Sequence, residues 1–295
     1  MSVPPCPPEA CASPAGGMPR AVEDATLVAQ RQIAAGTFRI RVECPSLASR
    51  ARAGQFAMLR IADRFDPLLG RPLAVYDTYL GAGDVVPGGE RSGHRFADFV
   101  YTVHGRFTTA LCTLTPGDRV TVTGPLGNGW CDLPPSPRLV LVAGGIGQTS
   151  LLTLGRERAA AGAEVLFCWG ASRGAAFGDV DDFRRAGLDV HLATLDGSAG
   201  RKGNVVDLLD HLFPSGTNPP GPIACCGPEP MMAAVGRWAA THGADCHVSL
   251  EAPMACGIGI CFTCVAKVRD AEGGWDYRRT CVEGPVFPAS AIEWD

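Results

Sequence analysis

The sequence predicts a β plus α/β chain in three parts: an antiparallel β-barrel, a doubly wound domain on a parallel sheet, and a small C-terminal domain around a cysteine cluster. Three observations predict it. Between residues 22 and 124 apolar and polar residues alternate in short runs, with Phe38, Ile40 and Val42 set against Arg39, Arg41 and Glu43, and Val120 and Val122 against Arg119, Thr121 and Thr123. Period two marks half-buried strands. Beyond Pro134-Pro135-Ser136-Pro137 the pattern changes, because Leu139-Val140-Leu141-Val142-Ala143 is a continuous apolar run of the kind buried in a parallel sheet. Near the C-terminus Cys256, Cys261, Cys264 and Cys281 stand in the order C-x4-C-x2-C…C on loop-rich sequence.

A chain of 295 residues suffices for two ordinary domains and a small third. Its 46% hydrophobic and 19% charged residues are globular composition, and a net charge of −4 provides no basic footprint for nucleic acid. No stretch approaches the ~20 apolar residues that span a bilayer. The Pro-rich start has neither the basic nor the apolar region of a signal peptide. The expectation is a cytoplasmic protein with no nucleic-acid or membrane partner. Thirteen cysteines in such a chain read as four ligands plus reduced thiols rather than as a disulfide framework. Cys6, Cys11, Cys44, Cys112, Cys131 and Cys168 show no ligand spacing.

Residues 1–20, rich in Pro, Ala and Gly, hold too little apolar surface to offset ordering entropy and are expected to be a disordered tail. Residues 21–132 form the barrel, with strand signals at 38–43, 55–61, 97–103 and 119–123. It also holds a strand opening at Arg71-Pro72, a long hairpin loop at 81–93 and one helix at 107–114. Residues 133–245 form the α/β domain. Strands are expected at 139–143, 163–169, 188–194 and 222–226, with helices at 148–160 and at 203–213, where Val205, Leu208, Leu209 and Leu212 share one face. Residues 246–295 carry the cysteines. No internal repeat is present.

Three constellations carry chemistry. The cysteine order matches the plant-type [2Fe-2S] pattern, and Gly257 and Gly259 permit positive φ and turn backbone N–H groups toward cluster sulfurs. Four thiolates also suit structural zinc, although zinc sites usually show two short cysteine pairs and here the grouping is three and one. The second constellation is Ala143-Gly144-Gly145-Ile146-Gly147-Gln148-Thr149, between the buried strand and a helix, where glycines let the backbone approach a pyrophosphate. The spacing is not G-x-G-x-x-G, so a plain strand-to-helix turn is the alternative. Cys225-Cys226-Gly227-Pro228-Glu229-Pro230 repeats the strand-to-helix context, and both segments fall at the carboxyl edge of the sheet, where ligands bind. The nucleotide candidates are therefore Gly144, Gly145, Gly147, Cys226, Gly227 and Pro228.

The third constellation is Arg71-Pro72-Leu73-Ala74-Val75-Tyr76, with Tyr101 and Thr108 nearby in the barrel. An arginine before a proline-stiffened strand holds a phosphate through paired hydrogen bonds, while neighbouring backbone lines a flat ring. On its own it more often reads as a strand-edge turn. The six histidines show no motif spacing to Ser, Cys or Asp, so nothing points to acid–base hydrolysis. Glu251 and Met254, ahead of the cysteines, receive no role.

In this order the pieces resemble the electron-transfer subunits of two-subunit, NAD-linked dihydroorotate dehydrogenases, a branch of the ferredoxin–NADP reductase superfamily. The resemblance spans roughly residues 22–288. It is strongest over Glu251, Met254-Ala255-Cys256-Gly257-Ile258-Gly259, Cys261, Cys264, Cys281 and Glu283-Gly284-Pro285-Val286-Phe287, with Gly124-Pro125-Leu126-Gly127-Asn128-Gly129 in support. It implies FAD in the barrel, NAD on the α/β domain and [2Fe-2S] on the four cysteines. The family's flavin strand falls on Arg71, Pro72, Leu73 and Ala74, with Ala74 in a serine's place. Further flavin contacts fall on Val100, Tyr101 and Thr102, and on Phe107 and Thr108, with Phe107 in a glycine's place. Gly203 and Val205 match the approach to a later helix. Cys226 is the residue placed nearest the nicotinamide.

The resemblance also implies a catalytic FMN-containing partner subunit that oxidises dihydroorotate, in a heterotetramer of two of each chain, with Cys256–Cys264 near the interface. A reductase subunit for another partner, namely a ferredoxin:NADP oxidoreductase, sulfide dehydrogenase, hydrogenase or sulfite reductase, shares most of these motifs. A zinc-stabilised binding protein on a degenerate reductase scaffold is the reading from another class. Arg173, after a strand, would meet a 2′-phosphate or simply be solvated, and NADH against NADPH stays open.

Overall fold

The computed structural model describes residues 20–85, 91–214, 221–270 and 272–294. The expected tail, with Cys6 and Cys11, lies outside the described residues apart from Arg20, as does 86–90 within the expected 81–93 loop.

Six strands close the barrel: β1 (Ala21–Ala34), β2 (Thr37–Glu43), β3 (Phe56–Ile61), β4 (Arg71–Tyr79), β5 (Phe96–Thr102) and β6 (Arg119–Leu126), in the spatial order β1-β2-β5-β4-β3-β6. The short helix α1 (Pro45–Ala48) follows β2, and α2 (Gly105–Leu111) follows β5. The alternating residues meet inside as expected, with Leu27, Ile40, Val42, Leu59, Phe99, Val120 and Val122 in one core. Helix α2 begins two residues ahead of the expected 107, because the Thr108 hydroxyl accepts the His104 N–H at 2.6 Å and fixes the first turn.

The alternation misleads at two positions. Arg39 and Arg41 belong by pattern on a polar outer face, yet each is only 8% exposed. Asp98 on β5 accounts for both, at 2.7 Å from Arg39 Nε and 2.6 Å from Arg41 Nε, so the charges are paired where they are buried.

The second sheet is built from β7 (Arg138–Gly144), β8 (Glu164–Ala171), β9 (Asp189–Thr194), β10 (Arg201–Lys202), β11 (Ile223–Cys226), β12 (Cys246–Ser249) and, after the hairpin β13 (Val265–Arg269) and β14 (Trp275–Arg279), β15 (Val286–Pro288). Its order is β10-β9-β8-β7-β11-β12-β15, parallel except for β15. The continuous run of β7 is buried on both sides. Leu139, Leu141 and Ala143 share a core with α3 (Leu152–Ala160) and α4 (Val180–Arg185), whereas Val140 and Val142 face α5 (Val205–Leu212) and α6 (Glu229–Thr241). The expected helix 148–160 is divided: a 3-10 turn over Gly145–Ser150 precedes α3.

The sheet continues past residue 245. Both β12 and β15 belong to it, and Ser249 pairs with Val286, so the cysteine-bearing stretch 250–285 leaves and re-enters one sheet edge. Asn128, in the turn that ends the barrel, fastens the returning chain: its side chain donates to Val286 O at 2.9 Å and accepts Val286 N–H at 3.1 Å.

Candidate functional site

A cavity of about 740 Å³ opens where barrel, α/β sheet and cysteine segment meet. Its barrel wall is Arg71, Pro72, Leu73 and Ala74 from β4 and Val100, Tyr101 and Thr102 from β5, with Thr108 of α2. Thus the flavin candidates of the two strands converge, though far apart in sequence. Arg71 is exposed, and its guanidinium donates to Gly70 O at 3.0 Å, which leaves it able to meet an anion. Phe107 is the exception: its side chain is 1% exposed and turned into the barrel core, not onto the cavity wall.

The opposite wall comes from Ile146, Thr149 and Ser150, from Cys226, and from Ser249 through Ala255. Gly144, Gly147 and Gly227 serve the approach of two loops to each other. A Cβ on Gly147 would stand 2.2 Å from Cys226 O, and one on Gly144 would stand 2.7 Å from the Pro228 ring. Gly145 differs, with φ +54 and nothing within 4 Å of the place a Cβ would take, so its backbone is open to a ligand. Two indoles hold this turn. Trp169 Nε1 donates to Gly145 O at 2.9 Å, and Trp130 Nε1 donates to Ser150 O at 2.8 Å.

Cys226 is 3% exposed, and burial pushes its thiol up to about 12, with Glu251 adding to the rise and the Ser150 and Ser249 hydroxyls opposing it. The Glu251 carboxyl opens onto the cavity but is crowded by protein on its other sides, and that loss of solvation raises it. Ser150, Ser249 and Glu251 are functional candidates that sequence reasoning passes over. Ser249 and Glu251 reach Cys226 through parallel pairing of β11 with β12, and Ser150 through pairing of β11 with β7, for which the sequence holds no local signal.

Beside this cavity the four cysteines gather in two pairs. Cys264 and Cys281 are 2% and 1% exposed and adjoin each other, whereas Cys256 is half-buried and Cys261 exposed, also in contact. Phe56, Met58, Leu126 and Met254 pack around the inner pair, and Phe56 and Met254 also line the cavity. Gly257 at φ +69 lies against Met58, and Gly259 at φ +89 lies against Val282, both too tightly for a side chain. Arg279 braces the loop by donating to Gly259 O at 3.1 Å, and Glu283 accepts the Arg279 N–H at 2.9 Å. Cys281 lies near Cys256 as well as Cys264, so the two pairs adjoin. Two metal centres with two thiolates each fit the paired arrangement, as a [2Fe-2S] cluster provides. The Thr280 hydroxyl, fully buried next to Cys281 in the chain, has no acceptor among the described protein atoms.

The seam between barrel and α/β half is closed by charge. Arg39 Nη1 donates to Asp179 at 2.8 Å and Asp182 at 2.6 Å on the α4 side, Tyr76 OH donates to Asp182 at 3.0 Å, and Arg156 grips both oxygens of Asp77 at 2.6 Å. Arg173 follows β8 on the surface, where it adds a small part to the lowering of the Asp196 carboxyl that the Ser198 hydroxyl and N–H mainly cause.

The family described as the iron-sulfur cluster binding domain of dihydroorotate dehydrogenase B matches residues 251–293. The chain is 34% identical over 272 residues to the dihydroorotate dehydrogenase B (NAD(+)), electron transfer subunit, of Geobacillus thermodenitrificans, covering 92% of this chain and 98% of that protein. It is 32% identical to the subunit of the same name from Desulforamulus reducens, covering 93% and 99%. Among solved structures, it is similar to the NADH-dependent reduced ferredoxin-NADP oxidoreductase studied for flavin-based electron bifurcation. That likeness has a TM-score of 0.77 and 28% identity, over 92% of this chain and 90% of the other. A ferredoxin reductase of carbazole 1,9a-dioxygenase shares the fold, with a TM-score of 0.63 at 20% identity over 77% and 67% of the two chains.

Proposed function

The chain belongs to the family of dihydroorotate dehydrogenase B (NAD(+)) electron transfer subunits, and on that premise we propose that it carries electrons from a catalytic partner subunit to NAD+ in pyrimidine biosynthesis. When bound, the [2Fe-2S] cluster accepts single electrons from the partner's FMN and FAD passes them in pairs to nicotinamide as hydride. The chain's own residues hold and shield these groups. Cys256, Cys261, Cys264 and Cys281 are the cluster ligands. Arg71 offers its guanidinium to the FAD pyrophosphate, while Pro72, Leu73, Ala74, Val100, Tyr101 and Thr102 wall the flat ring. Thr108 fixes the start of α2 at the cavity rim, with Phe107 anchoring that helix from inside the barrel. Gly144, Gly145 and Gly147 with Cys226, Gly227 and Pro228 form the two loops that receive NAD. Ala74 presents a methyl group to the flavin in place of a hydroxyl, so its contribution is packing alone.

The observation that carries this reading is a shared wall: Phe56 and Met254 touch the cavity on one side and the Cys264–Cys281 pair on the other. Packed side chains would therefore be all that separates the two groups. The base that deprotonates dihydroorotate belongs to the partner. Ile260 and Phe262, 74% and 61% exposed beside Cys261, suit the face turned toward that partner. The assembly is read as two of each chain, in the cytoplasm. No helix among the described residues is long and apolar enough to cross a membrane.

Anaerobic co-purification with the FMN-containing subunit, followed by assay of dihydroorotate-dependent NAD+ reduction, tests the proposal. A brown-yellow complex that reduces NAD+ is the expected result. A chain that binds FAD and iron but neither joins that subunit nor supports the reaction would transfer the proposal to a different electron donor, and a colourless, zinc-containing chain would end it.

A further inference from the structure

Thr263 stands between the two halves of the site. Its hydroxyl donates to Cys261 Sγ at 3.2 Å, and the same residue lines the cavity beside Met254 and Ala255. The sulfur it meets belongs to the exposed Cys261, toward which the Thr263 backbone N–H also points. The Ile258 backbone N–H donates to Cys256 Sγ at 3.4 Å, a contact that no side-chain substitution removes. The Thr263 hydroxyl is thus the removable donor on a ligand sulfur.

We propose that Thr263 tunes the reduction potential of the cluster held by the four cysteines, making it easier to reduce. This rests on the electron-transfer function proposed above. Adding one electron to a cluster, with no bond made or broken and no proton taken up, increases the negative charge on its thiolate sulfurs. A hydroxyl aimed at one of those sulfurs therefore binds more strongly in the reduced state than in the oxidised one. The difference favours reduction, and hydrogen bonds to sulfur are among the factors that set such potentials. Because Thr263 is exposed and its contact is local, its methyl and hydroxyl can be exchanged without disturbing the buried pair or the barrel.

The test uses the full-length, FAD- and iron-loaded chain, as wild type, Thr263→Val and Thr263→Ser. Dithionite titration is followed by electron paramagnetic resonance of the reduced cluster. Thr263→Val, which keeps the shape and loses the donor, is expected to raise the oxidised-to-reduced ratio about tenfold at a fixed potential. That corresponds to a midpoint ~59 mV more negative for a one-electron couple. Its thiolate-to-iron absorption should move to longer wavelength. Thr263→Ser is expected to restore the wild-type midpoint. An unchanged midpoint in Thr263→Val with the cluster intact overturns the tuning role and leaves the electron-transfer function standing. Absence of any cluster from the wild-type chain overturns both.

Discussion

At the seam between barrel and α/β half, every guanidinium nitrogen of Arg39 meets a protein partner: Asp98, Tyr79, Asp179 or Asp182. In the cysteine segment Ile260 and Phe262 stand largely exposed, and the packing around Cys264 and Cys281 comes from Phe56, Met58 and Leu126 of the barrel with Met254 of the segment itself. The seam satisfies itself with groups the chain already owns. The segment is shaped for something the chain does not own, an inorganic cluster. Rigidity at the seam and dependence at the segment suit an electron carrier, since the flavin-to-nicotinamide geometry must stay fixed while the cluster is supplied from outside.

Four substitutions break or sharpen this contrast. The largest effect is expected from Cys281→Ser, which removes a buried ligand: iron content should fall to background and dihydroorotate-dependent NAD+ reduction with it. NADH oxidation by an artificial dye, which needs only the flavin and the seam, should persist. Loss of both activities would mean that the two regions are not independent. At the seam, Arg39→Leu removes the cation that Asp98, Asp179 and Asp182 share, leaving each with one arginine (Arg41, Arg31 and Arg185 in turn), and should cost about 3 kcal/mol of stability, the low end for breaking a buried pair. Denaturant unfolding followed by tryptophan fluorescence reads it, and a change below ~1 kcal/mol would show that the network is not holding the halves together. In the segment, Gly257→Ala forces a Cβ to 2.5 Å from Met58 at a φ of +69. About 1–3 kcal/mol of local strain is expected, seen as faster iron loss to a chelator with little change in global unfolding. The smallest effect should come from Trp169→Phe, which keeps the aromatic packing against Phe167 and Phe183 but removes the donor to Gly145 O. A loss of roughly 1 kcal/mol raises KM for NAD+ about fivefold with kcat nearly unchanged, measured by steady-state kinetics.

Much of this architecture is legible in the chain itself. The strands of the barrel announce themselves through residues such as Ile40 and Val122, whose period follows from the geometry of a pleated strand. The cysteine spacing carries its own chemistry because its ligands, apart from Cys281, lie within one loop. Long-range pairing is what stays hidden. Arg39 and Arg41 look like surface residues until Asp98, on another strand, is brought beside them. Strand β1 escapes detection because its exposed outer positions interrupt the apolar pattern, with Ala25 and Leu27 its fully buried residues. The glycines of the nucleotide loops read as room for a ligand, yet Gly147 and Gly227 chiefly make room for each other's loops. Trp169 gives no signal at all, since its hydrogen bond joins the interior of one strand to the end of its neighbour.

The pairing of Ser249 with Val286 has a consequence for how the protein is made. The cysteine stretch is, in topology, one enlarged turn whose two feet are already clamped by backbone pairing and by Asn128. A cell short of iron should therefore still accumulate a folded, yellow, NADH-oxidising chain, awaiting only its metal.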